Sequence, residues 1–358
     1  MPVLARSIAF DILRKVEAGG YASDLLLSAT AALDSRDAGL VSEIVFGVLR
    51  YRAQLDYLIE HYAVRRARLD PEVRMALRMG IYQLRYLERI PPHAAVAESV
   101  DLVKRARKRS AAGLVNAVLR KVNREPIAWP RREVELSCPE WLLARWEGLY
   151  GAETAAGIAR AALAEPERYT RGTRLQDIGS QSIVPLLGLS PGQTFLDLCA
   201  APGNKTAQAL ESPVRAVACD IHHHRLRQLK SATPNLVVLD GARPLPFARP
   251  FERILVDAPC SGTGTLGRNP EIKWRLTSAD LGRLHRLQVE LLASALGALA
   301  PGGLLVYSTC SLEPEENETV VAAVAPSLVV ETLRRIPGRD PGDGFYAAVI
   351  KSDKPANG

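Results

Sequence analysis

The chain has 358 residues, of which 47% are hydrophobic and 24% are charged, and its formal net charge is +7. This length leaves room for two domains that each bury a core. No apolar run is long enough to cross a bilayer and the first residues lack a signal-peptide pattern, so we expect a cytoplasmic protein without membrane contact. Five sparse cysteines exclude a disulfide-stabilised scaffold and predict reduced thiols.

The basic charge is unevenly distributed. Residues 1–135 contain 23 Lys and Arg against 16 Asp and Glu, whereas residues 136–358 contain 23 of each kind. The net charge therefore belongs to the N-terminal part, which predicts a surface for a polyanion, with RNA as the expected ligand. Solvated basic side chains on helix surfaces would give the same count, and charge alone does not separate the two interpretations.

The N-terminal part is predicted to be helical throughout. Apolar residues recur at steps of three and four in five segments, which are residues 5–16, 41–59, 71–87, 94–105 and 111–122. Glycine and proline pairs and a basic cluster at residues 104–109 interrupt them. The pattern predicts an all-α bundle over residues 1–125. His93 follows two prolines and is expected to start a helix rather than to catalyse.

A proline-containing stretch separates the two compositions. Residues 126–139 include three prolines and are predicted to be a linker. The second domain is expected to span residues 140–350, beginning with two helices, and residues 351–358 are expected to be a flexible tail.

Short apolar strands alternate with helical segments in the second domain, which predicts a parallel α/β sheet. The strands are expected at residues 194–198, 215–219, 236–239, 253–256 and 303–308. Four of them end on or just before a carboxylate, namely Asp197, Asp220, Asp240 and Asp257. One such residue could simply cap a helix. Four at the same edge of a parallel sheet favour a ligand site there.

The loop after the first predicted strand is composed mainly of small residues. Small residues and a proline connect the strand to a helix in the run Cys199-Ala200-Ala201-Pro202-Gly203-Asn204-Lys205. It matches neither the dinucleotide loop nor the phosphate loop. With Asp220, Asp240 and Asp257, this loop is predicted to bind S-adenosyl-L-methionine, whose ribose diol, adenine amine and cationic centre suit carboxylates. No metal site is expected, because the consecutive residues His222–His224 would point away from one another on a helix.

Two cysteines follow the last two predicted strands. Cys260 lies in Asp257-Ala-Pro-Cys-Ser-Gly-Thr-Gly and Cys310 in Tyr307-Ser-Thr-Cys-Ser. Methylation of an exocyclic amine requires no thiol. Methylation of cytosine C5 does, because a thiolate added to C6 makes C5 nucleophilic, and the C5 proton must leave afterwards. The acidic run at residues 313–318 is consistent with a helix start.

These motifs resemble the cytosine-5 RNA methyltransferases of the Nol1/Nop2/Sun group. Residues 89–100 and 113–120 resemble the NusB-like domain that precedes the catalytic domain in the bacterial small-subunit ribosomal RNA branch (Sun/Fmu). The resemblance implies an α-helical, NusB-like RNA-binding bundle followed by a Rossmann-like methyltransferase domain. It also implies a monomer that methylates C5 of a cytidine in small-subunit ribosomal RNA. Cys310 would be the nucleophile, Cys260 would release the product, and Asp257 would bond to cytosine N3.

The sequence departs from the group in two places. Asn204 replaces a usual glycine, and we expect it to tolerate a left-handed backbone. The small α/β insertion that normally precedes residue 175 is essentially missing, which bears on how RNA is held. A transfer RNA cytosine-5 methyltransferase and a non-catalytic RNA-binding or antitermination factor remain alternatives. The two cysteines argue against the second, because a scaffold requires neither.

Overall fold

The computed structural model describes residues 2–63, 68–229 and 235–353. Its helices are α1 Pro2–Glu17, α2 Ala22–Thr30, α3 Ser35–Arg50, α4 Arg52–Tyr62, α5 Pro71–Tyr86, α6 Pro92–Arg105, α7 Ala112–Leu119, α8 Arg132–Glu135, α9 Glu140–Tyr150, α10 Ala152–Ala161, α11 Ile178–Gln181, α12 Asn204–Ala209, α13 His223–Leu226, α14 Ile272–Arg275, α15 Ser278–Gly297 and α16 Glu318–Val324. Its strands are β1 Thr170–Arg171, β2 Arg174–Leu175, β3 Thr194–Asp197, β4 Arg215–Asp220, β5 Leu236–Val238, β6 Phe251–Asp257, β7 Leu299–Thr309, β8 Val329–Arg335 and β9 Phe345–Lys351.

The fold divides into two compact units. The helical unit runs to Glu165 and also contains the segment Leu266–Arg275. The sheet unit comprises Pro166–Thr265 and continues from Leu276. The predicted order, a helical bundle followed by an α/β domain, is confirmed. Among the described residues, no helix is both long and apolar enough to cross a membrane.

The helical unit is an all-α bundle whose core lies among α1, α3 and α5. Their apolar residues recur along one face and are buried. Where α3 passes α5, a Cβ on Gly47 would lie 1.9 Å from the ring of Tyr82, so this close approach requires glycine. The predicted helix over residues 41–59 is two helices, because Tyr51 leaves the helical conformation at φ −96° and ψ 15°. Helix α2 was not predicted.

Charged groups inside the bundle are paired. Arg78 on α5 is only 3% exposed, and its guanidinium donates to both carboxylate oxygens of Asp56 at 2.7 and 2.8 Å. A third bond reaches Glu17 at 2.7 Å. A buried guanidinium requires such partners because an unpaired charge is costly away from water. These contacts tie α1, α4 and α5 together.

The segment Leu266–Arg275 caps the C-terminus of α3. Lys273 is 1% exposed, and its Nζ donates to the carbonyl of Arg50 at 3.0 Å. The indole Nε1 of Trp274 donates to the carbonyl of Leu49 at 2.6 Å. These carbonyls belong to the last turn of α3, where the helix itself supplies no donors. The distant segment completes the helix.

The same segment also caps the N-terminus of α2. The carboxylate of Glu271 accepts from the backbone N–H of Ala22, the first residue of that helix, at 3.0 Å. Arg275 donates to the carbonyls of Gly19 and Gly20 just before it, both at 3.3 Å. The segment follows the Cys260 motif by only a few residues, yet it belongs to the helical unit. Nothing in its sequence predicted this.

The predicted linker, residues 126–139, packs against α4 within the helical unit. Gln54 donates to the carbonyl of Glu135 at 2.5 Å, and Ser137 Oγ accepts from the backbone N–H of Ala53 at 3.1 Å. The two units therefore divide after residue 165 rather than in this stretch. Pro139 is the N-cap residue of α9, so this stretch leads directly into the next helix of the same unit.

The sheet unit contains a seven-stranded sheet in the order β5-β4-β3-β6-β7-β9-β8. Strands β3 to β7 pair in parallel, as predicted, whereas β8 and β9 are antiparallel. From β3 the chain proceeds outward to β5, and then returns to the other side of β3 with β6. The order therefore reverses between β3 and β6, and open α/β sheets bind ligands beyond the carboxyl ends of strands at such a point.

The end of the chain differs from the prediction of a loose tail over residues 351–358. Lys351 is the last residue of β9, and the backbone N–H of Ser352 donates to the carbonyl of Gly303 at 3.0 Å. Ser352 is also buried. The sheet thus extends into the predicted tail, and residues 354–358 lie outside the described part of the chain.

Candidate active site

The predicted cofactor loop connects β3 to α12 at the reversal of strand order. Gly203 takes φ +106°, and a Cβ there would lie 2.5 Å from the side chain of Leu229. Glycine is therefore required on both conformational and steric grounds. Asn204 is the first residue of α12 and not left-handed, so the expected reason for its tolerance was wrong. Its side chain instead donates to the carbonyl of Leu175 at 3.2 Å.

A cleft opens over this loop. Its walls are formed by Ser180, Asp197, the run Cys199, Ala200, Ala201, Pro202, Gly203, Asn204 and Lys205, and Asp257. The whole predicted loop thus lies at one site. Ser180 was not predicted as a site residue, although its segment, residues 176–181, resembles a Gln-Asp-x-Ser-Ser-Gln element of the same methyltransferase group. Burial raises the pKa of the Cys199 thiol well above its usual value and keeps it neutral.

Asp197 at the end of β3 is the most buried carboxylate of the cleft, at 1% exposure. One oxygen accepts from Thr206 Oγ1 at 2.6 Å, and Oδ1 has no hydrogen-bond partner among the described residues. Burial raises the pKa of Asp197 to about 7. An orphaned carboxylate oxygen facing a cleft rich in acidic groups suits a ligand that is positively charged and donates hydrogen bonds.

Asp220 and Asp240 follow β4 and β5, as predicted. The carboxylate of Asp220 accepts from the backbone N–H groups of Ala201 at 3.2 Å and His222 at 2.8 Å. It therefore fixes the cofactor loop and retains further lone pairs that accept hydrogen bonds. Asp240 accepts from Ala242 N at 3.1 Å and from Arg243 at 3.2 Å. Neither residue lines the cleft over the loop itself.

Lys205 and Asp257 form an ion pair that the sequence did not predict. The two side chains meet at 2.6 Å, and Lys205 is 11% exposed. The second oxygen of Asp257 accepts from Ser308 Oγ at 2.8 Å. The neighbouring strands β6 and β7 place Asp257 directly opposite Ser308. The pair links the cofactor loop to the strand that leads to Cys260.

The side chains of Cys260 and Cys310 are in contact. Cys260 follows β6 and Cys310 follows β7, and their sulfur atoms are 3.3 Å apart. Both side chains are half-buried thiols without a disulfide. The contact with Cys310, followed by burial, raises the pKa of Cys260 well above its usual value. Cys260 is thus held as a neutral thiol within hydrogen-bond distance of Cys310 Sγ.

A buried carboxylate beneath the thiols was also missed. Glu316 lies in the acidic run, which was expected only to start a helix, and α16 begins two residues later. Its side chain is fully buried and binds Ser261 and Ser311, each of which follows a cysteine. The sequence carries no signal that separates Glu316 from Glu315.

Family models match both parts of the chain. Residues 4–124 match the NusB family, and residues 184–328 match the model described as 16S rRNA methyltransferase RsmB/F. A crystal structure titled "Crystal Structure of PH0851" covers 98% of this chain and 99% of that chain, with a TM-score of 0.76 and 22% identity. At that identity the likeness shows a shared fold.

Two curated relatives match along most of their lengths. The chain is 32% identical to "Ribosomal RNA small subunit methyltransferase B" of Klebsiella pneumoniae, over 97% of this chain and 98% of the relative. It is 30% identical to the "Probable ribosomal RNA small subunit methyltransferase B" of Bacillus subtilis, over 89% and 87%. The acidic cleft fits the methyl donor predicted from the sequence. The chain belongs to the ribosomal RNA small subunit methyltransferase B family, and its cofactor is S-adenosyl-L-methionine.

Proposed function

We propose that this protein transfers a methyl group from S-adenosyl-L-methionine to C5 of a cytidine in small-subunit ribosomal RNA, through a covalent bond between Cys310 and C6. The observation that supports this most directly is the 3.3 Å separation of the Cys260 and Cys310 sulfur atoms at the ends of adjacent strands. Methylation of an exocyclic amine would use neither thiol. A pair of thiols beside a methyl-donor cleft suits attack at C6 and release at C5.

Cys310 begins the reaction. Its thiolate adds to C6, the 5,6 double bond opens, and C5 becomes nucleophilic. The Cys260 thiol, 3.3 Å away, stabilises the attacking thiolate by donating a hydrogen bond. S-adenosylmethionine, when bound by the residues of the cofactor loop, would supply an electrophilic methyl group.

Cys260 ends the reaction. After methylation C5 still carries its proton. Once Cys310 is bonded to C6 and is no longer a thiolate, Cys260 loses its own proton to the solvent, and its thiolate then removes the proton from C5. The electron pair of that C–H bond then forms the 5,6 double bond, and Cys310 leaves as a thiolate. Loss of Cys260 should therefore trap the RNA on Cys310.

Asp257 and Lys205 act on the base rather than on the thiols. Addition to C6 increases electron density at N3, which takes up a proton from the solvent and loses it again when Cys310 leaves C6. A carboxylate that accepts a hydrogen bond from this N3–H stabilises the adduct. Asp257 takes this position in the proposal, and the Lys205 ion pair at 2.6 Å keeps its carboxylate oriented. Ser308 holds the other oxygen.

The target cytidine must be unstacked to reach the thiols, so a single-stranded or loop nucleotide is the expected substrate. The helical unit carries the whole net positive charge and is proposed to supply most of the attraction for phosphate. The printed names of the relatives support ribosomal RNA of the small subunit as the substrate.

Deletion of the gene tests the assignment. Cytosine-5 methylation mapped across total RNA at single-nucleotide resolution should lose one or more sites in small-subunit ribosomal RNA. Complementation with the unchanged gene should restore them, and complementation with Cys310→Ala should not. Loss of sites only in transfer RNA would favour the transfer RNA alternative, and an unchanged map would contradict the proposed activity.

A further inference from the structure

Glu316 occupies the centre of a hydrogen-bond network in the sheet unit. Its Oε1 accepts from the backbone N–H of Ser261 at 2.8 Å and from Gln288 Nε2 at 3.0 Å. Its Oε2 accepts from the hydroxyl groups of Ser261 and Ser311, the latter at 2.5 Å. The side chain is fully buried, so four donors replace its lost hydration.

This network joins the two cysteine loops. Ser261 and Ser311 each follow a cysteine directly, and their hydroxyl oxygens are 3.1 Å apart. One carboxylate therefore spans both loops from below. Its own backbone is held as well, because the Tyr307 hydroxyl on β7 donates to the carbonyl of Glu316 at 2.6 Å. The distance between the two thiols thus depends on the position of Glu316, which is fixed through both its side chain and its backbone.

The network also places a negative charge beside the thiol pair. The groups that act on Cys260 are Cys310, the carboxylate of Glu316 and, from β7, the neutral hydroxyl of Tyr307. Helix α15 contributes the neutral amide of Gln288 to the same carboxylate. Burial raises the pKa of Glu316, and its hydrogen bonds oppose that shift. Two of the bonds to the Glu316 carboxylate come from Ser261, which follows Cys260, and one comes from Ser311, which follows Cys310. An ionised Glu316 therefore disfavours a second negative charge on Cys260 more than a neutral side chain would.

We propose that Glu316 is a positioning residue that holds the two cysteine loops together and keeps the shared proton of the thiol pair on Cys260. The thiolate is then left on Cys310, which is the nucleophile in the proposed function on which this inference rests. The asymmetry between two otherwise similar cysteines would come from a residue that touches neither substrate nor cofactor.

The variant Glu316→Gln separates charge from geometry. A glutamine can still accept from Ser261 N and Gln288 through its oxygen, while its amide donates to hydroxyl groups that can rotate. The matched control is Glu315→Gln, one residue earlier and half-exposed. The readout is thiol alkylation by iodoacetamide across pH, with the modified cysteine identified by peptide mass spectrometry.

In this experiment the Cys260 alkylation curve of Glu316→Gln should move to lower pH by about one unit or more. The control should follow the wild type. A Cys260 curve that does not move in Glu316→Gln would overturn the electrostatic part of the proposal. The measurement uses no RNA, so it remains informative even if the enzyme methylates another atom, and the gene-deletion map reports on that question separately.

The variant Glu316→Ala tests the positioning part. It removes the support of both loops, and kcat should fall by about 100-fold with the KM for RNA little changed, because misplacement of reacting groups by about 1 Å has costs of this size. Glu316→Gln should recover most of that loss at a pH adjusted to its own profile. Wild-type kcat in Glu316→Ala would overturn the positioning part.

If Glu316→Ala does not fold, Ser311→Ala provides the same test. It removes one hydroxyl donor and leaves the carboxylate in place, so a smaller loss of kcat in the same direction is expected. An unchanged kcat in a folded Ser311→Ala variant would count against the support.

Discussion

The two units differ in how their buried charged and polar side chains are arranged. In the helical unit Arg78 has two carboxylate partners and Lys273 caps a helix, whereas Oε2 of the buried Glu271 has no hydrogen-bond partner among the described residues. In the sheet unit the buried polar groups collect at one edge and some are left unsatisfied, as is Asp197 Oδ1. An unpartnered buried oxygen therefore does not by itself indicate a ligand site, and at Asp197 the further observation is the cleft whose walls the cofactor loop forms.

The largest expected effect is on the cysteine pair of the sheet unit. Cys310→Ala should abolish methylation and form no covalent RNA complex, because the proposed bond to C6 is formed by the Cys310 thiolate. Cys260→Ala should attack and methylate but release slowly, leaving a protein–RNA adduct on denaturing gels. An adduct formed by Cys310→Ala and not by Cys260→Ala would exchange the two assignments.

The paired charges of the helical unit should matter for stability and not for the cofactor. Arg78→Met leaves Asp56 and Glu17 without their partner and should lower the free energy of unfolding by about 3 kcal/mol. Arg14→Met breaks an exposed pair with Glu72 and should cost less than about 1 kcal/mol. Chemical denaturation measures both. Equal effects of the two substitutions would show that burial of an ion pair does not determine its contribution to the free energy of unfolding.

The stability contributed by Lys273 should depend on pH. Burial lowers its pKa to about 7, whereas in the unfolded chain it is about 10.4. Between these values the unfolded state binds more protons, so the contribution of Lys273 to stability rises with pH. The free energy of unfolding of the wild type, taken relative to that of Lys273→Met, should therefore rise by about 2–3 kcal/mol from pH 7 to pH 9. Lys104→Met, at an exposed position, is the control. Parallel pH profiles would contradict this prediction.

The carboxylates of the sheet edge should differ in their effect on cofactor affinity. Asp220→Ala removes an acceptor for the ribose diol and frees the backbone of Ala201, so binding should weaken by about 1.5–3 kcal/mol. Asp240→Asn keeps one acceptor oxygen and should weaken cofactor binding less than Asp220→Ala does. Calorimetry with S-adenosylmethionine measures both, and an unchanged affinity for Asp220→Ala would remove the ribose assignment.

The smallest effect concerns exposed charges. Lys104 pairs with Asp101 at 2.9 Å and Lys108 with Asp70 at 2.9 Å, but such exposed pairs contribute little and phosphate can replace the carboxylates. Changing both lysines to Gln should reduce the salt dependence of RNA binding by close to one unit of slope for each phosphate that is no longer bound. The control is Arg283→Gln in the sheet unit, where a similar exposed pair exists. Equal slopes in both variants would locate the RNA-binding surface elsewhere.

Point substitutions are preferable to removal of the N-terminal residues. Lys273 and Trp274 pack on the end of α3, and a chain beginning near Ser137 would expose both. Loss of RNA binding in such a chain would not distinguish a missing RNA-binding surface from a disordered segment.

The local features of this protein follow from its sequence alone. Apolar spacing identified most helices and the five parallel strands, because that periodicity depends only on neighbouring residues. The cofactor loop and both cysteines were found for a related reason. Each lies at the end of a strand, where topology brings carboxyl ends to one edge.

Which groups meet across long separations depends on the tertiary structure. The capping of α3 by Lys273, the bond between Lys205 and Asp257 and the support of both thiol loops by Glu316 join residues that are distant in the chain. Such contacts leave no periodic trace, since a single lysine or glutamate looks the same in a sequence whether it is solvated or buried. In the folded protein, packing removes water from the side chains that become buried, so only other protein groups remain to satisfy their charge.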